Sequence, residues 1–144
     1  MPTVNVYLNF NGQCEAAFNL YKSAFGKEFG YMGKFKDMPQ DPDAPLSETD
    51  LERVMHVTLP ISQETVLMGS DTTLQSGQEV TFGNNFAVSI NVGSQEEADH
   101  LFNALSEGGQ VLMPMSHTFW GAYFGMFTDK FNVPWMINFD LPTA

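Results

Sequence analysis

The stretch Val4–Gly26, VNVYLNFNGQCEAAFNLYKSAFG, returns in altered form at Phe86–Gly108, FAVSINVGSQEEADHLFNALSEG. Laying Val6 on Val88, an offset of 82 residues, makes Val6/Val88, Asn9/Asn91, Gln13/Gln95, Glu15/Glu97, Ala16/Ala98 and Gly26/Gly108 identical. Apolar positions fall in step as well: Leu8 on Ile90, Phe10 on Val92, Leu20 on Phe102. An internal repeat of this kind marks a duplicated unit. Each copy opens with a strand, because Val4, Val6, Leu8 and Phe10, and then Phe86, Val88, Ile90 and Val92, recur with a period of two. The period then changes to 3.6. Cys14, Ala17, Phe18, Tyr21, Ala24 and Phe25 form one helical stripe, and Ala98, Leu101, Phe102 and Leu105 form the other. Ser94 with Glu97 reads as a capping box, and Gly26 and Gly108 supply left-handed helix ends.

Working outward, Glu28–Phe35 reads as a second strand with two glycines marking a bulge or bend. Lys36–Glu52 holds six acids and three prolines, so no regular element is expected there; it is a functional lid or a solvated acidic loop. Arg53–Ile61 and Glu64–Ser70 read as a hairpin turning at Ser62-Gln63. In the second half Gln110–Pro114, Thr118–Thr128 and Val133–Phe139 are strands, with Asp129–Asn132 as the last turn. The order β-α-β-β-β therefore occurs twice: 1–70 as the first module, 71–85 as a polar linker and 86–144 as the second module, in one compact α+β domain.

At 144 residues, with 43% hydrophobic and 13% aromatic residues, the chain has the composition of a folded protein with a sizeable core. A net charge of −11 repels phosphate backbones and anionic membranes, which argues against nucleic acid and membrane partners. One cysteine excludes an internal disulfide, and no signal peptide or membrane-length apolar run is visible, so a cytoplasmic protein is expected. No glycine-rich strand–turn–helix for a dinucleotide or S-adenosylmethionine, no phosphate loop and no framed Ser or Cys nucleophile appears.

Four segments, Tyr7–Gly26, Met55–Pro60, Phe82–Gly109 and Thr118–Phe139, in this order resemble the vicinal oxygen chelate superfamily, and within it the PhnB-like proteins. That superfamily includes glyoxalase I, extradiol dioxygenases, and fosfomycin and bleomycin resistance proteins. The resemblance implies paired βαβββ modules whose sheets meet edge to edge as an open curved barrel around a small-molecule cavity, commonly in a homodimer. Its metal-dependent branches hold a divalent ion on His, Glu or Gln side chains from four strands. Carried over by position, those sites fall on Asn5, near Met68, on Ala87 and on Met136. A thioether and a methyl group cannot serve a hard or borderline ion, so the expectation is no metal and no cofactor.

The remaining candidates are weighed residue by residue. His56 is placed mid-strand on one face with Val54 and Thr58; it is the best candidate for a proton-transfer or hydrogen-bonding group, with a satisfied core histidine as the plainer alternative. Phe119, Trp120 and Tyr123 form an aromatic strand suited to a pocket wall or to core packing. Asn9, Asn91 and Asn138 are placed on the concave face, where they would hold a polar ligand group, with internal strand-edge hydrogen bonding as the plainer account. Met136 joins this cavity set. His100 and His117 are read as exposed or structural, and Cys14 as a small unreactive hydrophobe. The resulting expectation is a homodimer that binds a small organic molecule in a metal-free cavity. An enzyme using metal-free acid–base chemistry or an unrecognised metal site is the alternative, and an interaction protein without a pocket is a third class.

Overall fold

A computed structural model describes residues 2–142, which divide between residues 81 and 82 into two compact units. In the first, β1 (Val6–Phe10), α1 (Cys14–Phe25), β2 (Tyr31–Lys34), α2 (Glu48–Glu52), β3 (Val54–Pro60) and β4 (Val66–Asp71) give a four-stranded sheet ordered β1-β4-β3-β2. In the second, β5 (Val88–Asn91), α3 (Gln95–Ser106), β6 (Gln110–His117), β7 (Ala122–Thr128) and β8 (Pro134–Asp140) give the matching order β5-β8-β7-β6. The opening strand of each unit runs parallel to the last strand, and the remaining pairs are antiparallel. The two copies of the repeat thus occupy corresponding places in their own sheets, as the duplication requires.

The helix stripes form the cores. Cys14, Ala17, Phe18, Tyr21 and Ala24 are buried in α1, and Ala98, Leu101, Phe102 and Leu105 in α3. Phe18 meets Phe10 and Tyr21 edge to face, with centroids at 6.4 and 5.3 Å, and each such fully buried ring stabilises by about 1.5–3 kcal/mol. Close packing fixes Gly69 in β4: a Cβ there would stand 2.6 Å from the Phe18 ring and 2.8 Å from the Leu8 carbonyl oxygen. Gly26 ends α1 in the left-handed region, at φ 64°. Only half of the expected capping box forms on α3. Ser94 Oγ accepts from Glu97 N–H, while the Glu97 carboxylate reaches the N–H of Gly93 instead of that of Ser94.

Several expected boundaries move. The acidic stretch 36–52 does contain a regular element, because Ser47 Oγ accepts from Asp50 N–H and starts α2 after the last proline. Asp50 is fully buried there, its carboxylate taking N–H bonds from Leu74 and Gln75. The second strand begins at Tyr31, and β5 begins at Val88, leaving Phe86 and Ala87 outside it. Thr118–Gly121 is a turn, with Thr118 N–H on the Ala122 carbonyl; β6 therefore extends to His117 and β7 starts at Ala122. Val54 and His56 do not share a face. Between Gly33 and Lys34 the partner in β3 jumps from His56 to Val54, so Met55 is an extra residue that turns Val54 into the core and leaves His56 on the opposite face with Thr58. Residues 72–81 pack with the first unit.

Candidate functional site

The face of the first sheet turned away from α1 carries an aligned row, Tyr7–Met68–Thr58–Tyr31, one residue from each strand. His56 stands one step along from Thr58. Its ring stacks on Tyr7 at 5.7 Å and 23° and lies 6.2 Å from Tyr31, forming an aromatic cluster of three. Tyr7 Oη and His56 Nδ1 are 3.1 Å apart and share a proton, its owner depending on the imidazole tautomer. With Tyr7 as donor, Nε2 keeps its N–H for a further acceptor. Tyr7 and Tyr31 are 44% and 46% exposed, so their rings present a surface to solvent. Gly33 permits this arrangement, because a Cβ there would overlap the Tyr31 ring. Asn9 lies on the same face and accepts from Ser70 Oγ at 3.5 Å.

In the second unit the corresponding face bears Asn91 and Asn138, whose amides bond directly, Asn138 Nδ2 donating to Asn91 Oδ1 at 3.1 Å. Asn138 Nδ2 also reaches Asp140 Oδ1 at 3.1 Å. Next to them Met136, Met126 and Met113 align as a thioether row. Trp120 is not on a strand. It sits in the β6–β7 turn, 57% exposed, edge-on to Phe119 and to Phe124, which shares the Asn138 face. Tyr123 lies on the other face: its hydroxyl donates to Asp99 Oδ1 of α3 at 2.6 Å, which raises its pKa. His117 packs at 5.1 Å on Tyr123. The aromatic strand expected from the sequence is therefore split between a turn and a helix contact, because Gly121 with φ 90° ends the turn just before β7.

The positions to which the resemblance carries the ligands of a divalent ion do not fit one. Asn5 Oδ1 accepts from Val66 N–H at 3.2 Å, Met68 and Met136 present thioethers, and Ala87 offers no donor. Among the described residues no three of His, Cys, Asp and Glu gather where they could share a metal ion. Cys14 is buried, and burial followed by the Asp71 and Glu15 charges pushes its thiol far above the ordinary range. A disulfide-exchange reagent should accordingly find no reactive thiol in the native protein and one per chain in denaturant; rapid native labelling would contradict this placement.

Asp71 and Asp129 are functional in folding rather than at the site, and their roles were not read from the sequence. Asp71 ends β4 and accepts from Gly12 and Cys14 N–H at 2.8 and 3.0 Å and from Val54 N–H at 2.9 Å. Asp129 accepts from Phe131 and Val133 N–H and from the Trp135 indole N–H at 2.8 Å.

Residues 2–138 match the family model described as 3-demethylubiquinone-9 3-methyltransferase. A crystal structure of protein PA1353 from Pseudomonas aeruginosa is 37% identical, with a TM-score of 0.86 over 99% of this chain and all of that one. The PhnB protein of Bacillus cereus shares the fold at 24% identity and a TM-score of 0.75, covering 96% and 99% of the two chains. A glyoxalase/bleomycin resistance protein/dioxygenase family enzyme from Burkholderia phytofirmans PsJN shares it at 16% and 0.63, covering 96% and 100%.

Proposed function

Because the chain belongs to the 3-demethylubiquinone-9 3-methyltransferase family of PhnB-like proteins in the vicinal oxygen chelate superfamily, we propose that it binds a small planar organic molecule on the open face of its first sheet, without a metal. The observation that carries this reading is the Tyr7–His56–Tyr31 cluster: two half-exposed phenol rings flank an imidazole, with the Asn9 amide on the same face. Aromatic faces take up flat apolar surface, and the imidazole N–H and amide orient a polar substituent. The misfit of Asn5, Met68, Ala87 and Met136 to a divalent ion supports a site that works by direct contact.

Methyl transfer, which the family description names, finds no support in the residues that would have to cradle the methyl donor. The β1–α1 turn is closed: Gly12 and Cys14 give their N–H groups to Asp71, and the Arg53 guanidinium lies 3.1–3.3 Å from where a Gly12 Cβ would stand. The hydrogen-bonded Tyr7–His56 pair favours a second reading, an enzyme that moves a proton on the bound molecule without a metal.

Titration of labelled protein with benzoate, 4-hydroxybenzoate and catechol, followed by NMR, tests the binding site. Saturable shifts are expected at Tyr7, Tyr31, His56 and Met68, unchanged by EDTA and weakened about tenfold by His56→Ala, in line with one lost hydrogen bond and stacking contact. Shifts confined to other residues, or binding that EDTA abolishes, would overturn the proposal.

A further inference from the structure

A half-open cleft of about 360 Å³ in the first unit is lined by Asn11, Arg53 and residues of the segment 72–79, none of which belongs to the aromatic cluster. That segment is a strap tied at both ends to Asn11. The Asn11 Oδ1 accepts from Val80 N–H at 2.8 Å and from Thr72 Oγ1 at 3.2 Å, and its Nδ2 donates to the Val80 carbonyl at 3.1 Å. Midway, Leu74 and Gln75 N–H are anchored on the buried Asp50 carboxylate. A loop fixed at its ends and centre holds the shape of the cleft beside it, whose volume lies in the range of small-ligand sites.

The lining is polar and carries both charges. Arg53 is largely buried; its Nη1 donates to the Thr72 carbonyl at 2.8 Å, and Asp50 Oδ1 lies 3.9 Å from Nε, beyond hydrogen-bond distance. A guanidinium has five N–H donors, so this fork keeps donors for a ligand carboxylate. Thr73 and Gln78 add neutral polar groups and Leu74 an apolar contact. Asp50 takes N–H bonds on both oxygens, and so does Asp71 behind Arg53. Glu79, exposed and lining the same cavity, is the carboxylate with capacity left for a cation. With Asp50, Asp71 and Glu79 around one arginine, a bare anion meets net repulsion, whereas a ligand bringing its own positive charge does not.

We propose that this cavity binds a small zwitterion, its carboxylate on Arg53 and its ammonium on Glu79. The ligand class is that of short amino acids, and the site is separate from the aromatic cluster. Glycine, β-alanine and γ-aminobutyrate, with acetate and ethylamine as half-ligands, are the probes for an NMR titration of the whole chain. One or more of the three zwitterions should shift the strap residues 72–80 saturably, and the preferred chain length reports the spacing between the two charges. Glu79→Gln, a surface change, should weaken that zwitterion about tenfold or more while acetate, relieved of one repelling charge, binds no more weakly; Arg53→Lys, which keeps the charge but loses the fork, should weaken both. His56→Ala should alter neither, which separates this site from the aromatic one. The absence of saturable strap shifts with every probe, or zwitterion binding indifferent to Glu79→Gln, overturns the assignment.

Discussion

Replacing Asp71 with alanine should cost this protein a large part of its folding free energy. One carboxylate at the end of β4 accepts the N–H groups of Gly12 and Cys14, at the entry to α1, and of Val54, which starts β3. It thereby joins three elements that the chain separates by up to 59 residues. Each buried N–H left without a partner costs about 1–3 kcal/mol, so a loss of at least ~3 kcal/mol is expected, against a typical total of about 5–15 kcal/mol. Urea unfolding should show a sharply lowered midpoint or no folded baseline, and Asp71→Asn, which keeps one acceptor oxygen, should fall between. Burial outweighs the three N–H bonds and raises the Asp71 carboxyl pKa. A folded-state value above the unfolded value of about 3.9 means that the stabilisation linked to this proton is complete below that pH and is lost as pH rises through the folded value. The stability gap between wild type and Asp71→Ala should therefore widen on acidification. A midpoint unchanged by the alanine substitution would refute the role.

The second large effect is expected at Asp129, which performs the same service in the other unit for a different set of donors. Its Oδ1 takes Phe131 and Val133 N–H at 2.8 and 3.0 Å, shaping the tight turn, and its Oδ2 takes the indole N–H of Trp135, a ring only 1% exposed. Asp129→Ala would leave that indole N–H without this acceptor in an apolar core and loosen a turn in which Asn132 adopts φ 69°. A loss on the order of 3 kcal/mol is again expected. Trp120 is largely exposed, so a Trp120→Phe background makes Trp135 the only tryptophan and its fluorescence the reporter. Asp129→Ala should shift that emission to the red and lower the denaturation midpoint; an unshifted spectrum with an unchanged midpoint would count against the account.

The repeat made the architecture legible, because alternation in Val6–Phe10 and Val88–Asn91 and the stripes on α1 and α3 are local signals that tertiary packing reinforces. Long-range pairing was not legible. The bulge at Met55 moves Val54 and His56 to opposite faces, and nothing in RVMHVTLP distinguishes that register from a plain strand. For the same reason the partners of His56 are not visible in the sequence: Tyr7 is 49 residues away and meets it only because β1 and β3 both flank β4. Tyr123 and Trp120 were grouped because they are neighbours in sequence, but one points to Asp99 and the other sits in a turn. The Ser47-x-x-Asp50 cap, in contrast, was a readable signal hidden by the acidic and proline-rich composition around it. The bond between the Asn91 and Asn138 amides is likewise not visible in the sequence, because it depends on β5 lying beside β8.

The central claim, a metal-independent site for a small organic molecule, is tested most directly by a native mass spectrum of the purified protein incubated with 4-hydroxybenzoate and, separately, with Zn²⁺, Ni²⁺ and Mn²⁺. We propose a homodimer of 16.0 kDa chains on the ground that Val111, Leu112 and Met113 of β6 leave apolar side chains exposed. The predicted spectrum shows the organic adduct, weakened about tenfold by His56→Ala, and no stoichiometric metal under any condition. One metal ion retained per chain, with organic binding that requires it, would contradict the account and place the protein among the metal-dependent members of its superfamily.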